Sequence, residues 1–153
     1  MNVSREQIAQ ALFKLLQGVN ANITFAPAKF QTISRSAFIW ARTPPANQPA
    51  LYLIHSGERA TQNSAFGLTK WNPLFILQIY AQRGGETEAI PDTLIDGMLD
   101  GIDATLQSKP QGERQTLGGL VTNCWIEGEI LFAPGEIASQ LNMIVPVRVL
   151  TGI

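Results

Sequence analysis

The segment Thr116–Ile130 constrains the fold most, because it has the pattern of a strand that is apolar on both faces. It opens on Gly118-Gly119, a pair typical of a turn, and the following side chains alternate in direction as in a β-strand. The second face of a half-solvated strand is normally polar, yet here it contains Val121 and Trp125. The pattern therefore predicts that a covering helix or a partner chain lies against this second face.

The composition indicates a neutral globular chain without a membrane helix. A length of 153 residues suits one domain, and the formal net charge of −1 argues against a dedicated nucleic-acid binder. Charged residues make up 15%, below the usual value of about 25%, which leaves neutral surface for contact with other proteins. No apolar run approaches the ~20 residues that a membrane helix needs. Cys124 is the only cysteine, and its apolar strand predicts a buried thiol.

Two segments show the apolar spacing of amphipathic helices. Ser4 and Gln7 form a capping box that predicts a helix over residues 5–17, which Gly18 ends. The second helix, roughly 91–107, begins at Pro91, a residue suited to a first helical turn. The two apolar stripes consist of Ile8, Leu12, Leu15, Leu16 and Val19 and of Leu94, Ile95, Met98, Leu99, Ile102 and Leu106.

The remaining apolar segments predict a sheet. We expect strands over 50–55, 68–82, 119–132 and 141–151, with 37–40 as a short strand or an extended packed segment. The polar residues 57–67 are expected to form a protruding hairpin loop, and Pro146 indicates that the last strand is an edge strand or contains a bulge. The sequence thus predicts one α+β domain over residues 1–153. Its sheet would be mostly antiparallel, with about four to five strands and two helices packed on one face.

The sequence contains no grouping of residues typical of a catalytic, metal or cofactor site. His55 is the only histidine, so with Cys124 it cannot supply a usual zinc site, and no glycine-rich phosphate loop is present. We therefore expect no enzyme activity and no cofactor. The alternative is a small α+β enzyme that uses His55 with Glu127 or Glu129, which lie two apart and so on one face of the predicted strand.

The chain resembles the tail terminator (minor tail protein U-like) family of long-tailed bacteriophages. The resemblance spans nearly the whole chain and has no catalytic signature. The matching segments are Leu15-Leu16-Gln17-Gly18, Ile33-Ser34-Arg35 leading to Trp40, Gln48-Pro49-Ala50-Leu51-Tyr52-Leu53 with Gly57-Glu58, Trp71, Ile90-Pro91, Gln115-Thr116-Leu117-Gly118-Gly119-Leu120-Val121, Cys124-Trp125-Ile126-Glu127-Gly128 and Val145-Pro146-Val147-Arg148-Val149-Leu150.

The resemblance implies a structural virion protein at the head-proximal end of the tail, assembled in the host cytoplasm. There it would form a homohexameric ring that stops polymerisation of the tail tube protein and joins the neck or head completion protein. DNA would pass through the lumen without specific binding. A head–tail connector or a tail tube protein is the alternative within this class. The expected subunit or tube interface residues are Arg59, Phe66, Trp71, Trp125 and Arg148, against core packing for the tryptophans and solvent for the arginines.

Overall fold

A computed structural model describes residues 3–36, 47–63, 68–82, 92–107, 113–134 and 140–151. Within these ranges the chain forms two α-helices and six β-strands. In chain order they are α1 (Arg5–Leu16), β1 (Thr32–Ser34), β2 (Ala50–Asn63), β3 (Leu68–Gln82), α2 (Asp92–Leu106), β4 (Asn123–Ile126), β5 (Leu131–Pro134) and β6 (Gln140–Leu150). Two short 3-10 helices, Val19–Asn22 and Ala26–Ala28, lie between α1 and β1. The predicted α+β class is confirmed.

The first helix begins where the sequence predicted. The Gln7 backbone N–H donates to Ser4 Oγ at 3.1 Å, and the Ser4 backbone N–H donates to Gln7 Oε1 at 2.8 Å. This reciprocal pair satisfies two donors that a helix start otherwise leaves without partners. Burial of Ile8, Leu12 and Leu16 then fixes the face of α1 that meets the sheet.

The strands form one mixed sheet in the order β1-β2-β3-β6-β4, with β5 also paired to β6. Only β1 runs parallel to its neighbour, and the remaining pairs are antiparallel. The sequence did not predict β1, because three residues are too short to show a periodicity. The segment 37–40, expected to be a strand or an extended packed segment, lies outside the described residues.

One face of the sheet packs against both helices. Burial alternates strictly along β6, and its odd-numbered residues share a single core cluster with Phe75, Leu77, Ile79 and Ala81 of β3 and with residues of the helices. Met98 and Ile102 of α2 are fully buried in this cluster, as are Leu77 and Met143 of the sheet. The opposite face, which we call the outer face, is formed by the even-numbered residues of β3 (Asn72–Gln82) and β6 (Gln140–Leu150).

A small second cluster lies on the outer face near the start of β2. Tyr52 and Tyr80 meet edge to face with ring centroids 5.8 Å apart, and Ala50 and Ile54 pack beside them. Burial raises the pKa of Tyr80 above its ordinary value. The side chains at this end of the outer face are therefore buried, whereas Trp125 and Arg148 at the other end are partly exposed.

The prediction of one continuous strand over 119–132 is wrong, because the strand is interrupted. Leu117, Gly118 and Gly119 have positive φ, and regular pairing covers only β4 and β5, which are separated by Glu127–Ile130. The break has a physical cause in β6, where Pro146 has no N–H to donate. The Pro146 carbonyl accepts from the Glu127 N–H at 3.3 Å, so its backbone faces the β4–β5 side, and the missing donor falls at the break.

Of the two alternatives predicted from Pro146, an edge strand or a bulge, the edge strand is wrong. β6 lies inside the sheet, with β3 on one side and β4 and β5 on the other. The strands β4 and β5, together with the segment between them, form the edge at this end of the sheet. The proline is tolerated in an interior strand because the neighbouring strand is interrupted beside it.

The predicted loop over 57–67 is largely strand. β2 continues to Asn63 and pairs with β3 back to Leu68, while residues 64–67 lie outside the described residues. The register shifts between His55 and Gly57, so that Ser56 forms a bulge. Because side chains alternate along a strand, this extra residue reverses the faces of Glu58 and Arg59, so that Glu58 lies opposite Pro73 and Arg59 lies opposite Asn72.

Candidate interaction surface

The far ends of β2 and β3 form a two-stranded ribbon, which we call the hairpin arm (Glu58–Asn63 and Leu68–Pro73). Among the described residues, β1 pairs only with Ala50–Tyr52 and β6 pairs with β3 only from Leu74 onward. The arm therefore has no other ladder partner within the described part of the chain. Two strands alone are marginally stable in water, so the arm depends on contacts at its root and on any partner that covers it.

Contacts from both ends of the chain hold the root of the arm. Arg5, the first residue of α1, forms an ion pair with Glu58, and its guanidinium lies 4.9 Å from the centroid of the Trp71 ring. The hydrogen bond to Glu58 raises the pKa of Arg5 above its ordinary value. From the other end, Thr151 Oγ1 donates to the Trp71 carbonyl at 2.7 Å, and the Thr151 N–H donates to Asn72 Oδ1 at 3.0 Å.

Three of the predicted interface residues converge on the outer face. Arg59, Trp125 and Arg148 line a shallow depression of about 210 Å³, which we call the outer hollow. Its remaining lining consists of Asn72, Leu74, Glu127, Val149 and Leu150. The register explains the convergence, because Arg59 lies opposite Asn72 and Arg148 lies opposite both Leu74 and Trp125. The outer hollow thus crosses four strands at the root of the arm.

The other two predicted interface residues lie elsewhere. Trp71 lies on the helix side of the sheet beneath Arg5 and is 37% exposed. Phe66 lies outside the described residues. Trp125 does not belong to the core, because it is only partly buried on the outer face. The core alternative for Trp125 therefore does not hold in this chain.

The charges in the outer hollow are unevenly compensated. Arg148 Nε forms an ion pair with Glu127 at the end of β4. Arg59 is exposed and has no ion pair with any described residue. Among the described residues, the outer hollow therefore presents the positive charge of Arg59 without an ion-pair partner, in the same depression as Trp125.

Sequence reasoning missed the exposed apolar side chains of β5, further along the edge of the sheet that β4 begins. Leu131 and Phe132 of β5 are each 50% exposed, and Glu129 is exposed just before them. We call these three residues the edge patch; within it Leu131 lies opposite Ile144 on the outer face, and Phe132 lies opposite Met143 on the helix side. The sequence predicts Leu131 and Phe132 as the end of one long paired strand. The break opposite Pro146 instead leaves β5 short, with these side chains exposed. Large exposed apolar side chains at a sheet edge are typical of a contact surface.

The structure contradicts the catalytic alternative that uses His55. The His55 ring stacks on Phe75 with centroids 5.0 Å apart, and Nε2 lies 3.5 Å from Glu58 Oε1, on the helix side of the sheet. Glu127 instead pairs with Arg148 on the outer face. Gly128 has φ +116° and breaks the alternation between Glu127 and Glu129, so these carboxylates do not form the predicted pair on one strand face.

Two further absences hold for the described part of the chain. Within it, no group of three or more His, Cys, Asp or Glu side chains is placed to hold a metal ion. None of the helices described there is long and apolar enough to cross a membrane. Cys124 is buried as predicted, and this burial raises the pKa of its thiol to about 12.

Comparison with known proteins gives one informative result. No protein-family model matches the sequence, and no curated protein matches it. A solved chain from the virion of a native gene transfer agent particle has a similar structure, with a TM-score of 0.54 and 12% sequence identity. The similarity covers 93% of this chain and 95% of that chain. At this identity the comparison establishes a shared fold over nearly the full length.

Proposed function

We propose that this chain is a structural virion protein of a phage-like particle that forms a closed ring at the head-proximal end of the tail. The observation on which this depends is the shared fold with a chain of a virion particle over nearly the whole of both chains. The sequence resemblance to tail terminators leads to the same class of protein. In this role the ring stops polymerisation of the tail tube and offers its other side to the neck or head.

The surface of the subunit supports assembly into a ring. A ring of identical subunits needs two different patches on each subunit, because its interface is heterologous. This chain has two such patches, the outer hollow at the root of the arm and the edge patch on β5. They differ in charge and in residues: the outer hollow reaches from Arg59 on β2 to Trp125 on β4, whereas the edge patch lies beyond it along the β4–β5 edge.

The hairpin arm supports contact beyond the subunit. It extends past the rest of the sheet, and only its root is held by Arg5 and Thr151. A ribbon of this kind gains stability when a neighbouring subunit or the tail tube covers it. We assign the arm to contact with the next subunit or with the tube protein.

The charge of the chain suits a ring through which DNA passes. A formal net charge of −1 gives no general attraction for a polyanion, so the genome would move through the lumen without specific binding. The proposed partners are therefore other copies of the chain, the tail tube protein and the neck or head completion protein. The proposed role involves no bond-breaking chemistry and no cofactor.

Electron microscopy distinguishes a tail terminator from a tail tube protein and from a head–tail connector. The purified protein should form single closed rings, and when it is mixed with tail tubes it should lie at one end of each tube. A tail tube protein would instead stack into long tubes, and a head–tail connector would bind the head without capping tubes. Stacks, or rings that never attach to tube ends, would contradict the proposed terminator function.

A further inference from the structure

Arg59 is a positive charge that has no counterion among the described residues, at one edge of the sheet. It is exposed on the outer face of β2, beyond the short stretch that β1 covers. By contrast, Arg5, Arg35 and Arg148 each form an ion pair, with Glu58, Glu6 and Glu127 respectively. The side chains around Arg59 in the outer hollow include Leu74, Trp125 and Leu150, which offer an apolar contact surface beside the charge.

Glu129 is the matching negative charge at the other edge. It is exposed, and it has no ion pair with any described residue. It precedes Leu131 and Phe132, which are each 50% exposed. Asp96, Asp100 and Asp103 are exposed too, but they lie on helix α2 and not at a sheet edge, and the exposed Phe25 beside Asp96 already packs against α2 at Gly97. The edge patch combines a carboxylate that has no ion pair to a described residue with two large exposed apolar side chains at a sheet edge.

The charges of Arg59 and Glu129 are complementary, and the strand order keeps these two residues apart within one chain. Arg59 lies on β2 and Glu129 lies next to β5, with β3 and β6 between them. Each can meet its complement only on another copy. A contact between two different edges of identical subunits is heterologous, and it closes into a ring when the rotation per subunit allows.

We propose that Arg59 of one subunit pairs with Glu129 of the next subunit, with the exposed side chain of Leu131 packed against Trp125 in the outer hollow. This inference rests on the proposed ring and specifies the contact that closes it. The apolar side chains exclude water from the pair, and a desolvated charge pair fixes the register of an interface. Placing two like charges there removes that register, so either single charge reversal weakens association about 30-fold or more.

The test uses the variants Arg59→Glu and Glu129→Arg in the full-length protein. Each variant alone should lose the ring in mass measurements over a range of protein concentrations. An equimolar mixture of the two should regain the ring, because the two variants can alternate around it. One junction then pairs the original Arg59 with the original Glu129, and the next junction pairs the two substituted residues, so opposite charges meet at both. The double variant should also form rings. Regained assembly in the mixture shows that neither single variant had simply failed to fold.

Matched controls separate this contact from a general effect of charge. Arg114→Glu and Asp96→Arg make the same charge changes at exposed positions without an ion pair to a described residue, and both should assemble normally. The inference is overturned if the wild type forms rings and the single reversals do so equally well. It is also overturned if the mixture and the double variant stay dissociated. A wild type that never forms rings would instead overturn the proposed function, and this contact with it.

Discussion

Trp125 and Arg148 face each other across the ladder between β4 and β6, on the side of the sheet that the helices leave open. Arg148 is at the same time opposite Leu74 of β3 and paired with Glu127. This arrangement makes Trp125 a partly exposed contact residue on an ordered surface. Trp125 is not part of the core, so a substitution there should affect assembly more than folding.

Trp125→Ala should therefore impair assembly while leaving the subunit folded. Because the side chain is only partly buried, we expect the free energy of unfolding to fall by about 1 kcal/mol, as is usual for single substitutions. The ring should dissociate at concentrations at which the wild type is assembled. Phe75→Ala is the matched control, because this ring is 2% exposed in the core and its loss should cost about 3–5 kcal/mol. Thermal circular dichroism and mass measurement distinguish the two, and unfolding of Trp125→Ala would contradict the assignment.

Thr151→Val should loosen the hairpin arm at its root. The substitution keeps the size of a residue that is 2% exposed but removes the hydroxyl that donates to the Trp71 carbonyl. We expect hydrogen exchange to rise in residues 58–63 and 68–73 and to stay unchanged in α2, which is remote from this bond. The cost of the lost hydrogen bond should be about 1–3 kcal/mol. Equal exchange in the arm of both proteins would show that Thr151 does not hold it.

Gly101→Ala should destabilise the fold although alanine is the better helix former by about 1 kcal/mol. A Cβ at this position of α2 would overlap Ile23 Cγ1, so the helix could no longer approach the segment after Val19–Asn22 as closely. Ile23→Ala removes the overlapping atoms. In a double-mutant cycle by urea denaturation, the double variant should lose less stability than the sum of the single variants. Strict additivity would contradict the close approach.

Cys124 should be unreactive until the chain unfolds. Burial raises the pKa of its thiol to about 12, so the folded protein holds almost no thiolate at pH 8, and a disulfide reagent should react only in denaturant. An unfolded thiol titrates near its ordinary pKa of about 8.5. The folded state therefore keeps a proton that the unfolded state loses, and stability should fall as the pH rises from about 9 towards 12. Rapid labelling of the native protein would contradict this burial.

The sequence predicted the two helices and the strands β3 and β6 closely, because their apolar periodicities are local, but it ended β2 eight residues too early. The break between β4 and β5 could not be predicted in the same way. It depends on Pro146 lying beside Glu127–Ile130, a pairing between segments far apart in the sequence that no local pattern reveals. The strand β1 could not be predicted for the same reason, because its three residues are recognised as a strand only by their pairing with β2.

The residue types in the sequence were enough to select the interface candidates. They could not predict that Arg59, Trp125 and Arg148 lie together on one surface. Leu51, Leu53 and His55 point to the helix side, so simple alternation would put Arg59 there too. The bulge at Ser56 reverses the alternation and places Arg59 opposite Asn72 on the outer face. Arg59 then shares a hollow with Trp125 only because the strand order brings β2, β3, β6 and β4 side by side.

Native mass spectrometry of the wild-type protein over a wide concentration range tests the central claim most directly. The proposed function predicts one closed species, a hexamer, that becomes dominant as concentration rises and does not grow further. A protein that stays monomeric throughout, or that grows without limit into an open series of masses, would contradict it.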